Sequence, residues 1–156
     1  MLIETYRSEK LSRENIRLVA YLFREELGIV NDLYIPVEKL LDRLPEIDPD
    51  ISYEIVLDDE LDKDTEAEAD VINKTIYIKE SVYNKACLGD GRSRMTIAHE
   101  IGHIVLVCLC DVRLYRTYKK KVAYEDPEWQ ATCFAGELLV GFHLLKNDKE
   151  ISKDYD

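Results

Sequence analysis

The segment TIAHEIGHIVLVC, residues 96–108, decides how the chain is read. His99, Glu100 and His103 are its only strongly polar side chains between Ile97 and Leu109; the rest are Ile, Val, Leu, Ala, Gly and Cys. A helix that is apolar on every side belongs in a core. Polar groups carried into a core are costly unless something satisfies them, so these three need a hydrogen-bond network or a metal ion.

Outward from this helix, expected from about Ser93 to Cys110, the pattern is that of one small α+β domain. Ser12 is a suitable N-cap and Gly28 a suitable end for a first helix with the stripe Ile16, Val19, Ala20, Phe23 and Leu27. A second helix opens at Pro36 and runs through Val37, Leu40, Leu41 and Leu44 to Pro45. ISYEIVL, residues 51–57, alternates as a half-buried strand does, and DVINKTIYI supplies two β-rich pieces around a turn at Asn73-Lys74. Between them DDELDKDTEAEAD, residues 58–70, is mostly acidic and reads as a solvated, mobile loop. A last helix is announced by EDPEWQATCFAGELLVGFHLL, with Asp126 as its cap and Pro127 in its first turn. The expectation is a single domain over 1–156 with its core at 10–145, a few antiparallel strands lying beside a helical core.

At 156 residues and 46% hydrophobic the chain can bury a real core, and its net charge of −11 speaks against a nucleic-acid-binding surface. The one basic run, KKK at 119–121, is short enough to be a solvated face. No apolar stretch reaches the roughly 18 to 20 residues a membrane span needs, and the N-terminus lacks a signal-peptide core, so a cytoplasmic protein is expected. Cys87, Cys108, Cys110 and Cys133 have neither CxxC nor zinc-ribbon spacing and read as buried free thiols.

His99 and His103 stand four positions apart, on one helix face a turn from each other, where two imidazoles can share a metal ion. Glu100 then lies beside the ion rather than on it, placed to accept a proton from water; that is the chemistry of H-E-x-x-H. A catalytic zinc site wants three protein ligands and an open position. Leu106 and Leu109 stand where a metzincin carries glycine and its third histidine, which excludes that class. His143 is the one remaining histidine, and Glu125, Asp126, Glu128 and Glu137 are the downstream carboxylates. Glu128 has the best surroundings, because Ala131, Thr132 and Ala135 line its face with small side chains that let two helices approach. Glu137 lies roughly 180° around the same helix, and Cys133 also points away.

These residues carry a resemblance. TIAHEIGHIVL followed by EWQATCFAGELLV resembles the ImmA/IrrE family of metallopeptidases, in which H-E-[IL]-[GS]-H precedes E-x-x-A-[ND]-x-F-A-x-x-L-L. With the upstream helices and short strands it extends over about residues 10–145. The resemblance implies a zincin-like helical core, Zn2+ held by His99, His103 and Glu128, and Glu100 as catalytic acid/base. Thr132 stands where that family commonly has Asn or Asp, a change expected to remove an acceptor behind a ligand imidazole, and LLVG replaces its usual ending.

The activity expected is peptide hydrolysis by zinc-activated water, with Glu100 shuttling the proton. Tyr115, Tyr118, Tyr124 and His143 are candidates to steady the oxyanion. The resemblance also implies a protein substrate, a helix-turn-helix repressor from a mobile element or stress response, whose basic surface would suit this acidic chain. No recognition helix rich in Arg or Lys is present, so direct DNA binding is not expected. The alternative is a non-catalytic zinc-containing interaction module or toxin–antitoxin component, against which the intact Glu100 argues.

Overall fold

The computed structural model describes residues 6–116 and 121–145. In chain order the elements are β1 (Tyr6–Ser8), α1 (Arg13–Glu26), α2 (Val37–Arg43), β2 (Ser52–Val56), β3 (Ala67–Asp70), β4 (Thr75–Lys79), α3 (Glu80–Cys87), α4 (Gly91–Ile104), β5 (Leu114–Arg116) and α5 (Pro127–Val140). The class is α+β, with a small sheet against a helical core.

The long helices follow from local chemistry. Ser12 caps α1, accepting from the Asn15 amide, while the Asn15 side chain reaches back to the Ser12 amide. Ile16, Ala20, Phe23 and Leu27 are buried as expected, and Gly28 turns the chain with φ of 70°. Asp126 caps α5 by accepting from the Glu128 amide, with Pro127 in the first turn. Asp90 caps α4 through the Ser93 amide, so the helix opens at Gly91, two residues before the expected start. After Ile104 the same helix widens into a π-helical turn over Val105–Leu109.

α4 lies at the centre, with Ile97, Ala98, Ile101 and Ile104 fully enclosed and α5, α2, α3 and β3 packed around it. Each of these isoleucine side chains contributes about 1.5–3 kcal/mol relative to exposure. α1 packs on the far side of α5, where Phe23 meets Phe134 edge to face at 5.6 Å. Arg24 is 1% exposed, and its guanidinium donates to the carbonyls of Leu138, Ile29, Val30 and Asp32, tying the ends of α1 and α5 together.

The strands form a β1–β5 antiparallel ribbon and a three-stranded sheet in the order β2-β4-β3. β3 and β4 are the antiparallel hairpin, Ala67 opposite Ile78 and Asp70 opposite Thr75. β2 joins β4 in parallel, Ser52 beside Thr75. The turn at Asn73-Lys74 forms as expected: Asp70 accepts from the Ile72 and Asn73 amides, and Lys74 takes φ of 51°. In β2 the alternation buries Ile51 and half-buries Tyr53, whereas Ile55 and Leu57 stay exposed.

Three expectations need correction. The acidic stretch 58–70 is not a loop throughout. Residues 58–60 make a 3-10 turn, Lys79 Nζ fixes the segment by donating to the Asp62 and Lys63 carbonyls, and Ala67–Asp70 is β3. Ala67 and Ala69 alternate inward beneath α4, and side chains that small give little hydrophobic signal among acids. Helix α3 was not foreseen; only Val82 and Ala86 are buried in it, too few to make a visible stripe. Of the cysteines only Cys133 is buried: Cys87 and Cys110 are exposed, and Cys108 donates to the Val71 carbonyl.

Candidate metal centre

α4 and α5 pack closely, and a single glycine permits it. A β-carbon on Gly102 would lie 3.0 Å from the Ala131 carbonyl oxygen and 3.1 Å from Phe134 Cδ1. Ala131 and Ala135 supply the matching small surface on α5, both fully buried. The expected close approach of the two helices is therefore present, with Gly102 as a component that the spacing of ligands does not reveal. A glycine inside an apolar helix was the available signal.

This approach brings Glu128 between the two histidines. His99 Nε2 stands 2.8 Å from Glu128 Oε2, and His103 Nε2 stands 3.0 Å from Glu128 Oε1. The rings lie nearly perpendicular, 84° apart with centroids 4.7 Å from each other. One ligand atom from each residue falls within 4.8 Å of the others. Nitrogen and oxygen ligands about 2.0–2.1 Å from one tetrahedral ion stand roughly 3.3 Å from each other, so this donor set fits a divalent ion. With a proton on each Nε2 the contacts are charge-assisted hydrogen bonds. With those protons gone, the same atoms offer lone pairs to one point.

The titration behaviour follows from this crowding. For Glu128, burial works against the charged form, yet the hydrogen bonds from His103 and His99 prevail and hold the carboxyl far below the usual carboxylate range. For His99, burial pulls the imidazole down, and the Glu128 hydrogen bond with the nearby Glu100 and Glu128 charges raises it above the ordinary value. Glu100 is raised chiefly by burial, against the pull of His103 and His99. The Ala69 backbone on β3, an outer strand of the sheet, lowers it slightly.

Thr132 corrects an expectation. Its hydroxyl lies 3.0 Å from His99 Nδ1, so the support behind this imidazole is kept. A hydroxyl can donate or accept, and so follows either tautomer of the ring.

The other candidates lie elsewhere. Glu137 forms ion pairs with Arg13 and Arg17 on α1, as its opposite face requires. Glu125 pairs with Arg7, and Asp126 is occupied as the α5 cap. His143 hydrogen-bonds to the Val30 carbonyl and packs edge-on against Tyr21 at 5.1 Å. Tyr115 lies under Arg7 and Tyr124 under Lys10. Neither tyrosine lines the cavity beside His99 and Glu100, which among the described residues is bounded by Arg92, Met95, Thr96 and Thr132 as well. Tyr118, and Lys119 and Lys120 of the basic run, lie outside the described residues. Among the described residues no helix is long and apolar enough to cross a membrane.

The chain matches no protein-family model, no curated protein and no solved structure. A group able to hold a metal ion at His99, His103 and Glu128, with Glu100 buried beside it, is what the fold presents.

Proposed function

We propose that this chain is a zinc-dependent metallopeptidase, with His99, His103 and Glu128 holding the ion and Glu100 as the proton carrier. The observation that carries the reading is the placement of one Glu128 carboxylate within 3.0 Å of both Nε2 atoms. The ion, once bound, supplies Lewis acidity toward water and a peptide carbonyl oxygen. Glu100 in its ionised form takes a proton as water attacks and, once protonated, delivers it to the departing amine, the step that its enclosed setting favours. Thr132 steadies the His99 ring. β3 is an outer strand of the sheet directly beside Glu100, which suits a substrate presented in extended form. A basic DNA-binding repressor would complement the acidic surface of this chain, whose net charge is −11.

The test combines metal content with cleavage. Wild-type protein purified without chelator should carry about one zinc per chain. Glu128→Ala should lose it, and Glu100→Gln should keep the zinc and fail to cut a repressor encoded nearby. Wild-type protein that takes up no zinc, or a Glu100→Gln variant that still cuts, would overturn the proposal.

A further inference from the structure

We propose that the cavity running along α4 from the metal group toward Arg92 is a specificity subsite, which receives one apolar side chain of the substrate next to the scissile bond. This rests on the metallopeptidase reading above. Arg92, Met95, Thr96 and His99 follow one another at helical spacing, so one stripe of α4 carries both a metal ligand and the cavity wall. The remaining lining comes from Glu100 and Thr132, and the volume is about 310 Å3. That is the lower end of the range for small-molecule sites, enough for a side chain but not for a large cofactor. Because His99 and Glu100 belong to the wall, an occupant lies against the reacting groups.

The chemistry of the far end sets the preference. Thr96 Oγ1 donates to Glu66 Oε2 at 3.0 Å, and Arg92 Nη2 pairs with Glu66 Oε1 at 2.9 Å. Both oxygens of this carboxylate are engaged, and the Thr96 hydroxyl proton is committed to it. The exposed wall of the cavity is mostly apolar, and Met95, partly buried against the core, gives it an adaptable floor. An aliphatic occupant gains by burial against this wall. Glu66 immediately precedes β3, so the carboxylate that holds Arg92 and Thr96 adjoins an outer strand of the sheet.

The test uses zinc-loaded full-length protein and hydroxamates, which bind the metal without being cleaved, measured by titration calorimetry. 4-Methylpentanoyl hydroxamate should bind wild type at least about tenfold more tightly than acetohydroxamate, as burial of two or more methylene groups gives. Met95→Trp, which fills the cavity, should erase that advantage and leave acetohydroxamate within about twofold of wild type. Met95→Ala should move the preference to 4-phenylbutanoyl hydroxamate, and decides the matter if the tryptophan variant does not fold. Acetohydroxamate that binds while chain length has no effect, or a preference indifferent to the Met95 variant that folds, overturns the subsite and leaves the metal centre standing. Failure of acetohydroxamate to bind at all overturns the metal centre, and the subsite with it.

Discussion

Gly102→Ala isolates what the α4–α5 contact contributes. In an isolated helix the change would favour folding by about 1 kcal/mol, since glycine costs that much relative to alanine. Here the new methyl group meets the Ala131 carbonyl oxygen at 3.0 Å, Phe134 Cδ1 at 3.1 Å and the Ala131 Cα at 3.2 Å. Two of these atoms are backbone, so relief requires α5 to move by a few tenths of an ångström. Overpacking of this kind costs about 1–3 kcal/mol, leaving a net loss of about 0–2 kcal/mol. For a chain of this size a midpoint loss of about 1 kcal/mol lowers the melting temperature by roughly 2–4 °C. The metal site should suffer more. Gly102 adjoins His103, and Ala131 follows Glu128 by one turn, so the same displacement separates the ligands. Metal sites tolerate errors of about 0.2 Å, and displaced support typically lowers affinity about 10- to 100-fold. Thermal melts of chelator-treated protein and zinc titrations with a competing chelator measure the two effects separately. A melting temperature raised by the full propensity gain, with zinc affinity unchanged, would refute the close contact and its role.

Thr132→Val removes the hydroxyl behind His99 while keeping the side-chain shape, and should weaken zinc binding about 10- to 100-fold in a competition titration with little change in melting temperature. Arg24→Leu should destabilise by about 3–5 kcal/mol in urea unfolding, because it strands carbonyls that the guanidinium now satisfies at the ends of α1 and α5. In protein stripped of metal, the raised His99 imidazole stabilises the fold below the unfolded histidine value, and that contribution is lost as pH rises through the higher folded value. Glu128 acts in the opposite direction: its depressed carboxyl stabilises above the unfolded carboxylate value and is lost only in strong acid. Zinc competes with the His99 proton, so its apparent affinity should begin to fall above the ordinary histidine range as pH drops; melts and zinc titrations across pH 5–8 read both.

The sequence by itself determined α1, α2, α4 and α5 and the candidate ligands that α4 carries. Ser12, Gly28, Asp126 and Pro127 act within a turn of where they stand, so caps and breakers name α1 and α5 directly. The His99–His103 pair needs only the pitch of a helix to converge, and the small residues after Glu128 made it the preferred third candidate. Tertiary structure decided what depends on two distant segments meeting. Gly102 matters because Ala131 lies opposite it, and the Thr132 hydroxyl matters because the ring of His99 turns toward it. β3 is a strand because α4 covers Ala67 and Ala69, a partner that a run of acids does not announce. The Ala69 backbone comes near Glu100 for the same reason: a backbone donor has no side-chain signature, and only the fold brings it toward that carboxyl.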